Sequence, residues 1–319
     1  MWNLSFTPPT VIQARVLARL PDTLRRPVRS EWADANKPGH LVDSFLEGPA
    51  FDRQGNLYLT DIPHGRIFRL SPGLAWDSVA ETGGWPNGIA IHRDGSLWVA
   101  DYRQGLLRVD PIKGSVETLL GHRNSESFKG LYDLTFDREG NCYFTDQGQT
   151  GLHDPTGRVY RWRTNGQLDL VLSNAPSPNG IALDRDGRFL YLAVTRGNAI
   201  WRGPLLSDGS ISKVGQFRSF FGTSGPDGLA VDQDNRLVVA HASLGGAFVL
   251  NPRGEVTHFV QSPAGQTITN VAFRPGTNEL VLIDSEQGHV LVAALPAPGA
   301  PLYSHDFVDV RNNCVNSLS

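Results

Sequence analysis

The apolar and polar positions of this chain repeat one phrase six times: FDRQGNLYLTD (51–61), IHRDGSLWVAD (91–101), FDREGNCYFTD (136–146), LDRDGRFLYLAV (183–194), VDQDNRLVVAH (231–241) and FRPGTNELVLID (273–284). Each phrase is an apolar stretch, a polar Asp/Gly/Asn turn and a second, alternating apolar stretch, which is the pattern of a β-hairpin. The turn positions are Gly55, Gly95, Gly140, Gly187, Asn235 and Gly276, so the steps are 40, 45, 47, 48 and 41 residues. That is the length of one propeller blade. The repeat predicts an all-β chain: a six-bladed β-propeller with four-stranded antiparallel blades around a central tunnel.

Between the hairpins lie RIFRLSP, LLRVDP, RVYRWR, AIWRGPL, AFVLNPRG and HVLVAAL, read as the third and fourth strands of each unit. Residues 1–43 contain VIQARVLARL, expected as one strand that closes the circle by completing the sixth blade. Residues 305–319 are expected to fray as a polar tail, and the whole of 1–319 is read as a single propeller domain.

Composition narrows the partners. With 34 Gly and 21 Pro the chain suits a turn-rich globular fold, and a net charge of −3 without a basic stripe gives no footprint for nucleic acid. Apolar runs are strand-sized and the N-terminus lacks the continuous apolar stretch of a secretion signal, so the expectation is a cytoplasmic protein with no membrane segment. No interface signal stands out, and a monomer is expected. Cys142, inside a strand, reads as a small core residue, and Cys314 lies in the polar tail.

Four residues before the apolar residue that opens each phrase, the six units carry Glu47, Asn87, Tyr132, Asn179, Asp227 and Thr269. The next position reads Gly48, Gly88, Asp133, Gly180, Gly228 and Asn270. One register position repeated in every blade makes a ring at one depth, here at the tunnel mouth. Two carboxylates and two carboxamides in such a ring lose hydration, and a hard divalent cation offsets that loss. All four groups offer oxygen, which favours Ca²⁺, Mg²⁺ or Mn²⁺ and makes Zn²⁺ the less natural ion. The alternative is that EGP, PNG, PNG and PDG merely introduce strands as turn sequences. Turn chemistry requires neither a Glu in one blade nor a common register in all.

The motifs SFLEGPAF, APSPNGIAL and SGPDGLAV, with TDIPHGRIFRL after the first, closely resemble the senescence marker protein/gluconolactonase/luciferin-regenerating group of six-bladed propellers, relatives of diisopropyl-fluorophosphatase. The resemblance spans roughly 44–295. It implies a metal-dependent lactonase with Glu47, Asn179 and Asp227 as metal ligands and Asp227 also as general base or nucleophile. Two positions depart from the family pattern. The third blade carries Tyr132-Asp133 where the family has Asn-Asp, and Ala230 stands where a second, structural calcium site would need an acidic residue. A phenol is no substitute for a carboxamide ligand, although it donates a hydrogen bond; Asn87 in the same column is placed to compensate.

For a lactone, the cation would polarise the carbonyl while Asp227 takes a proton from the attacking water. Tyr132 either holds the carbonyl or leaving oxygen or plugs the tunnel. Substrate contacts are expected from the loops on the ring face, which carry His64, Arg103, His153, Arg196 and His241, together with Trp85, Asn87 and Asp133 beside the ring. His241 is singled out as a proton-transfer candidate because it stands where four other units have Asp61, Asp101, Asp146 and Asp284, residues expected to cap turns. Trp98, Trp162 and Trp201 are read as sheet packing. No Gly-x-Ser-x-Gly elbow, phosphate loop or dinucleotide fingerprint is present. A metal-dependent lactonase, of a sugar or of a less polar, aromatic lactone, therefore leads. An ester or organophosphate hydrolase on the same site, a strictosidine-synthase-like enzyme and a propeller that only binds its ligand or protein are the alternatives.

Overall fold

The computed structural model describes residues 8–305. Six sheets surround an axis, and each repeat phrase forms the two inner strands of one blade. The innermost strands are Leu46–Phe51, Pro86–Ile91, Leu131–Phe136, Pro178–Leu183, Pro226–Val231 and Ile268–Phe273, each packed on the next until the sixth meets the first. The chain is thus the expected six-bladed propeller. Its core is six inter-blade clusters rather than one centre, because each sheet is apolar on both faces. Tyr58 and Ile67 of blade 1, for example, pack against Ile89, Val99 and Leu107 of blade 2. Cys142 is buried in the cluster between blades 2 and 3, beside Trp98 and Trp162.

Three features differ from the sequence reading. The six segments expected to supply third and fourth strands are all third strands. The fourth strands come from segments such as Trp76–Glu81 and Gly215–Ser219, whose half-exposed positions dilute the apolar signal at the blade edge. The N-terminal segment forms two strands in two blades. β1 (Thr10–Gln13) adds a fifth, parallel strand to blade 5, and β2 (Arg15–Arg19) completes blade 6 antiparallel to His289–Ala294. The switch falls at buried Ala14, whose N–H still donates to Gln261 O at 2.9 Å. The polar run after it holds a short helix, α1 (Glu31–Asn36), with Ser30 Oγ accepting from Ala33 N at 3.2 Å as N-cap. Trp32 and Ala33 seat this helix on Phe45 and Ile62, on the same face as the ring.

The blade tops are fastened by the strand-end aspartates. Asp61 accepts from Phe45 N at 2.8 Å, Ser44 Oγ at 2.9 Å and Arg66 Nε at 2.9 Å, all buried. Asp101, Asp146 and Asp284 accept likewise from Trp85 N, Gly130 N and Gly265 N, so each ties the entry of its own inner strand. Among the described residues no helix is long and apolar enough to cross a membrane. The expected tail lies, from residue 306 on and with Cys314, outside the described residues. Asp61→Ala leaves the Arg66 guanidinium buried without its partner, and the expected cost is about 3–5 kcal/mol of unfolding free energy in a urea titration.

Candidate functional site

Every inner hairpin slips register at the column picked out above: between Glu47 and Ala50, Pro86 and Ile89, Leu131 and Leu134, Pro178 and Ile181, Pro226 and Leu229, and Ile268 and Asn270. Such a bulge turns a side chain out of the pleat, here in all six strands at one level. Glycine follows where backbones crowd: a Cβ on Gly180 would stand 2.1 Å from Asp227 O, and one on Gly48 2.3 Å from Asn87 O. The two non-glycine positions use the space for hydrogen bonds. Asn270 Nδ2 donates to Glu47 Oε2 at 2.7 Å, and Asp133 accepts from Leu134 N at 2.9 Å and Ile181 N at 3.1 Å.

Glu47, Asn87, Asn179 and Asp227 are buried, and Tyr132 is half-buried among them. Glu47 Oε2 also accepts from Gly48 N at 2.7 Å. Asn87 Nδ2 donates to Trp85 O at 3.0 Å, while Asn87 Oδ1 and Asp227 Oδ1 are buried with no partner. Burial pushes the Glu47 carboxyl upward against the pull of its hydrogen bonds. Burial, then the charges of Glu47 and Asp133, hold Asp227 well above the usual carboxylate range, offset in part by Asn179 and Arg196. Asp133 is pushed up to about 7, mainly by burial. The Tyr132 phenol is raised by burial and then by Asp227 and Glu47, so it keeps its proton at neutral pH.

Two orphaned oxygens and mutually repelling carboxylates are costly as they stand, and a hard cation among them would relieve both. Among the described residues no three His, Cys, Asp or Glu side chains converge as a metal cluster. The oxygens that fit a cation here are therefore a mixed set, two carboxylates with carboxamides.

Residues 45–285 match the profile of the SMP-30/Gluconolactonase/LRE-like region. The chain belongs to this family. Relatives include Lactonase drp35 of Staphylococcus epidermidis, 30% identical over 261 residues covering 76% of this chain and 78% of that one. Lactonase drp35 of Staphylococcus haemolyticus is 31% identical over 269 residues, covering 77% and 82%. Among solved structures, the calcium-binding protein regucalcin of Agrobacterium tumefaciens superposes with a TM-score of 0.73 at 20% identity, over 93% of this chain and 99% of that one. A gluconolactonase of Xanthomonas campestris superposes at 0.71 and 22% identity, over 88% and 98%.

Around the ring, this family member builds an aromatic rim. Trp85 packs on Tyr102 with ring centroids 5.5 Å apart, and the Arg103 guanidinium lies 4.0 Å over the Trp85 ring while pairing with Glu31 of α1. Gln149 Nε2 donates to Tyr102 Oη at 3.2 Å. His64 Nε2 is 3.2 Å from Val42 O, and His153 is exposed. Tyr102 was not picked out individually by the sequence reading, and Arg196 only as the start of a ring-face loop, since both lie where the repeat imposes no register.

A cavity of about 920 Å³ lies on the far side of the ring. Asp133 and Asn270 form part of its ceiling, Phe136 and Phe273 its walls, and the segment from Gly299 to His305 crosses its floor, whereas Glu47, Asn179 and Asp227 do not line it. Tyr303 anchors that floor on Phe136 and His92. The ring thus separates a turn-side cavity from the loop-side face.

His241 is buried between Phe220 and Phe248, with Nε2 3.3 Å from Asn198 Oδ1 and Nδ1 unpartnered. Its contacts lie with these residues rather than with the ring. Burial lowers its pKa to about 4. Below an ordinary histidine pKa of about 6.5, the unfolded chain therefore takes up a proton that the folded one refuses. Stability from this site is present above pH 6.5 and is lost as pH falls toward 4. The urea midpoint of the wild type is expected to decline over that window more steeply than that of His241→Asn; equal slopes would remove His241 from the linkage.

Proposed function

We propose that the protein hydrolyses a lactone on the loop-side face of the ring, with Glu47, Asn179 and Asp227 holding a divalent cation, calcium the expected ion. The observation that carries this reading is the ring itself: two buried carboxylates and two carboxamides, with Asp227 Oδ1 and Asn87 Oδ1 unpartnered, inside a lactonase family. When bound, the cation supplies electrophilic polarisation of the lactone carbonyl.

The chain's own residues do the rest. Asp227 accepts a proton from the attacking water through whichever carboxylate oxygen the cation leaves free. The water oxygen joins the acyl carbon, the ring C–O bond breaks, and Asp227 returns its proton to the alkoxide, giving a hydroxy acid. Tyr132, kept protonated by burial, donates a hydrogen bond to the carbonyl or the leaving oxygen. Asn87 Oδ1 is free for the cation or for a substrate hydroxyl. Trp85 and Tyr102 give the substrate a flat apolar wall, stiffened by Arg103, which favours a non-sugar or aromatic lactone over a polyhydroxylated one.

A panel of aliphatic, aromatic and sugar lactones, with aryl esters and an organophosphate alongside, followed by proton release before EDTA, after EDTA and after calcium or manganese add-back, tests the reading. Lactone opening that is lost with EDTA and regained with metal is expected. Glu47→Gln and Asp227→Asn should each lower kcat/KM by about 10²-fold or more and abolish the rise in melting temperature on adding calcium. Full activity in either variant would sink the assignment, and turnover of the organophosphate alone would move the reaction class.

A further inference from the structure

We propose that Arg196 is a specificity-determining residue that binds a carboxylate carried by the substrate, so that the preferred lactones are anionic and otherwise apolar. This inference rests on the lactonase reading above and names the substrate class for the same site.

Arg196 differs from three other cations on the loop-side face. Arg103 is paired with Glu31, Lys37 with Glu286, and Arg158 with Asp146 and Glu126. Arg196 has no ion pair or hydrogen bond among the described residues and is exposed. Yet its charge acts on both Asp227 and Tyr132, lowering the proton affinity of each. Thr195, the residue before it, hydrogen-bonds to Pro226 O next to Asp227, so Arg196 is rooted at the rim of the ring and is exposed there.

The turn that presents Arg196 is held firmly. Thr195 Oγ1 donates to Pro226 O at 2.8 Å, and Asn198, in the left-handed region at φ 48°, donates through Nδ2 to Ser224 O at 2.9 Å. His241 braces Asn198 in turn. A side chain rooted in so fixed a turn gives up less freedom on binding than one on a loose loop. A guanidinium left unpaired at such a mouth matches a carboxylate, which it grips through two parallel N–H donors.

The flanking surface selects the rest of the substrate. Leu152, 73% exposed, and Phe221, 71% exposed, stand on the loops to either side, and apolar side chains that open to water are what an apolar substrate body would cover. His153 lies with Arg196 around Gly151: a Cβ there would be 3.1 Å from His153 Nδ1 and 3.7 Å from Arg196 Cβ. The mouth thus pairs cationic and apolar groups beside an aromatic wall.

The test compares an aromatic lactone bearing a remote carboxylate with its methyl ester, in the metal-loaded protein. The ratio of their kcat/KM values should favour the acid in the wild type, mainly through KM, and fall with added salt. Arg196→Gln should lower that ratio by about 10- to 100-fold, the range for loss of a charge-assisted hydrogen bond. Arg196→Lys should recover part of it, and Arg253→Gln, on the opposite face, should leave it unchanged. A wild-type ratio near one, or a ratio untouched by Arg196→Gln, overturns the inference while leaving the lactonase intact. If neither compound is opened, the reaction class has failed instead. Calorimetric binding of a non-hydrolysable lactam analogue of each compound, the acid and its methyl ester, then decides Arg196 separately: a preference for the acid that Arg196→Gln removes supports it, and equal binding overturns it.

Discussion

Six strands meet around one axis, and at the level where they come closest there is no room for six side chains. Gly48, Gly88, Gly180 and Gly228 answer that constraint by having none, since a Cβ on any of them would lie within 2.0 to 2.3 Å of a neighbouring blade's oxygen. Asp133 and Asn270 answer it by hydrogen bonding across the gap. The close approach forces a bulge in each strand, and the bulge aims the preceding residue at the axis. Ring geometry and fold closure are consequences of the same crowding.

Burying polar groups to make the ring demands compensation, and it comes from neighbouring blades. Thr60 and Thr145 from second strands, and Thr195 just after one, donate to the carbonyls of Asn87, Asn179 and Pro226 in the next blade, so backbone groups at the ring are satisfied between blades. Asp227 Oδ1 and Asn87 Oδ1 remain unpartnered, an imbalance that a purely structural ring has no need to keep. The ring also separates two environments: an aromatic, cationic mouth on the loop face and a large cavity floored by residues 299–305 on the turn face.

The inner hairpins were legible because a strand buried on both faces and followed by a Gly or Asn turn has few other ways to satisfy its backbone. Blade edges were not, because strands such as Trp76–Glu81 face solvent on one side and lose their alternation. VIQARVLARL reads as one strand because its residues suit extended structure throughout; its division at Ala14 reflects two open blade edges lying side by side, which only closure of the circle creates. The helix at Glu31–Asn36 is shorter than the span over which helical periodicity can be recognised.

What the sequence alone determined is the repeat, the blade count and the six residues at the ring, because those depend on register, and register is written in a period of two and a common turn. What only the tertiary structure decided is the state of those residues. The raised proton affinities of Asp227 and Asp133, the orphaned oxygens, the burial of His241 against Phe220 and Phe248, and the free guanidinium of Arg196 all depend on distances between blades. Electrostatics and desolvation act through space, and residues far apart in the chain share one environment only once the propeller has closed.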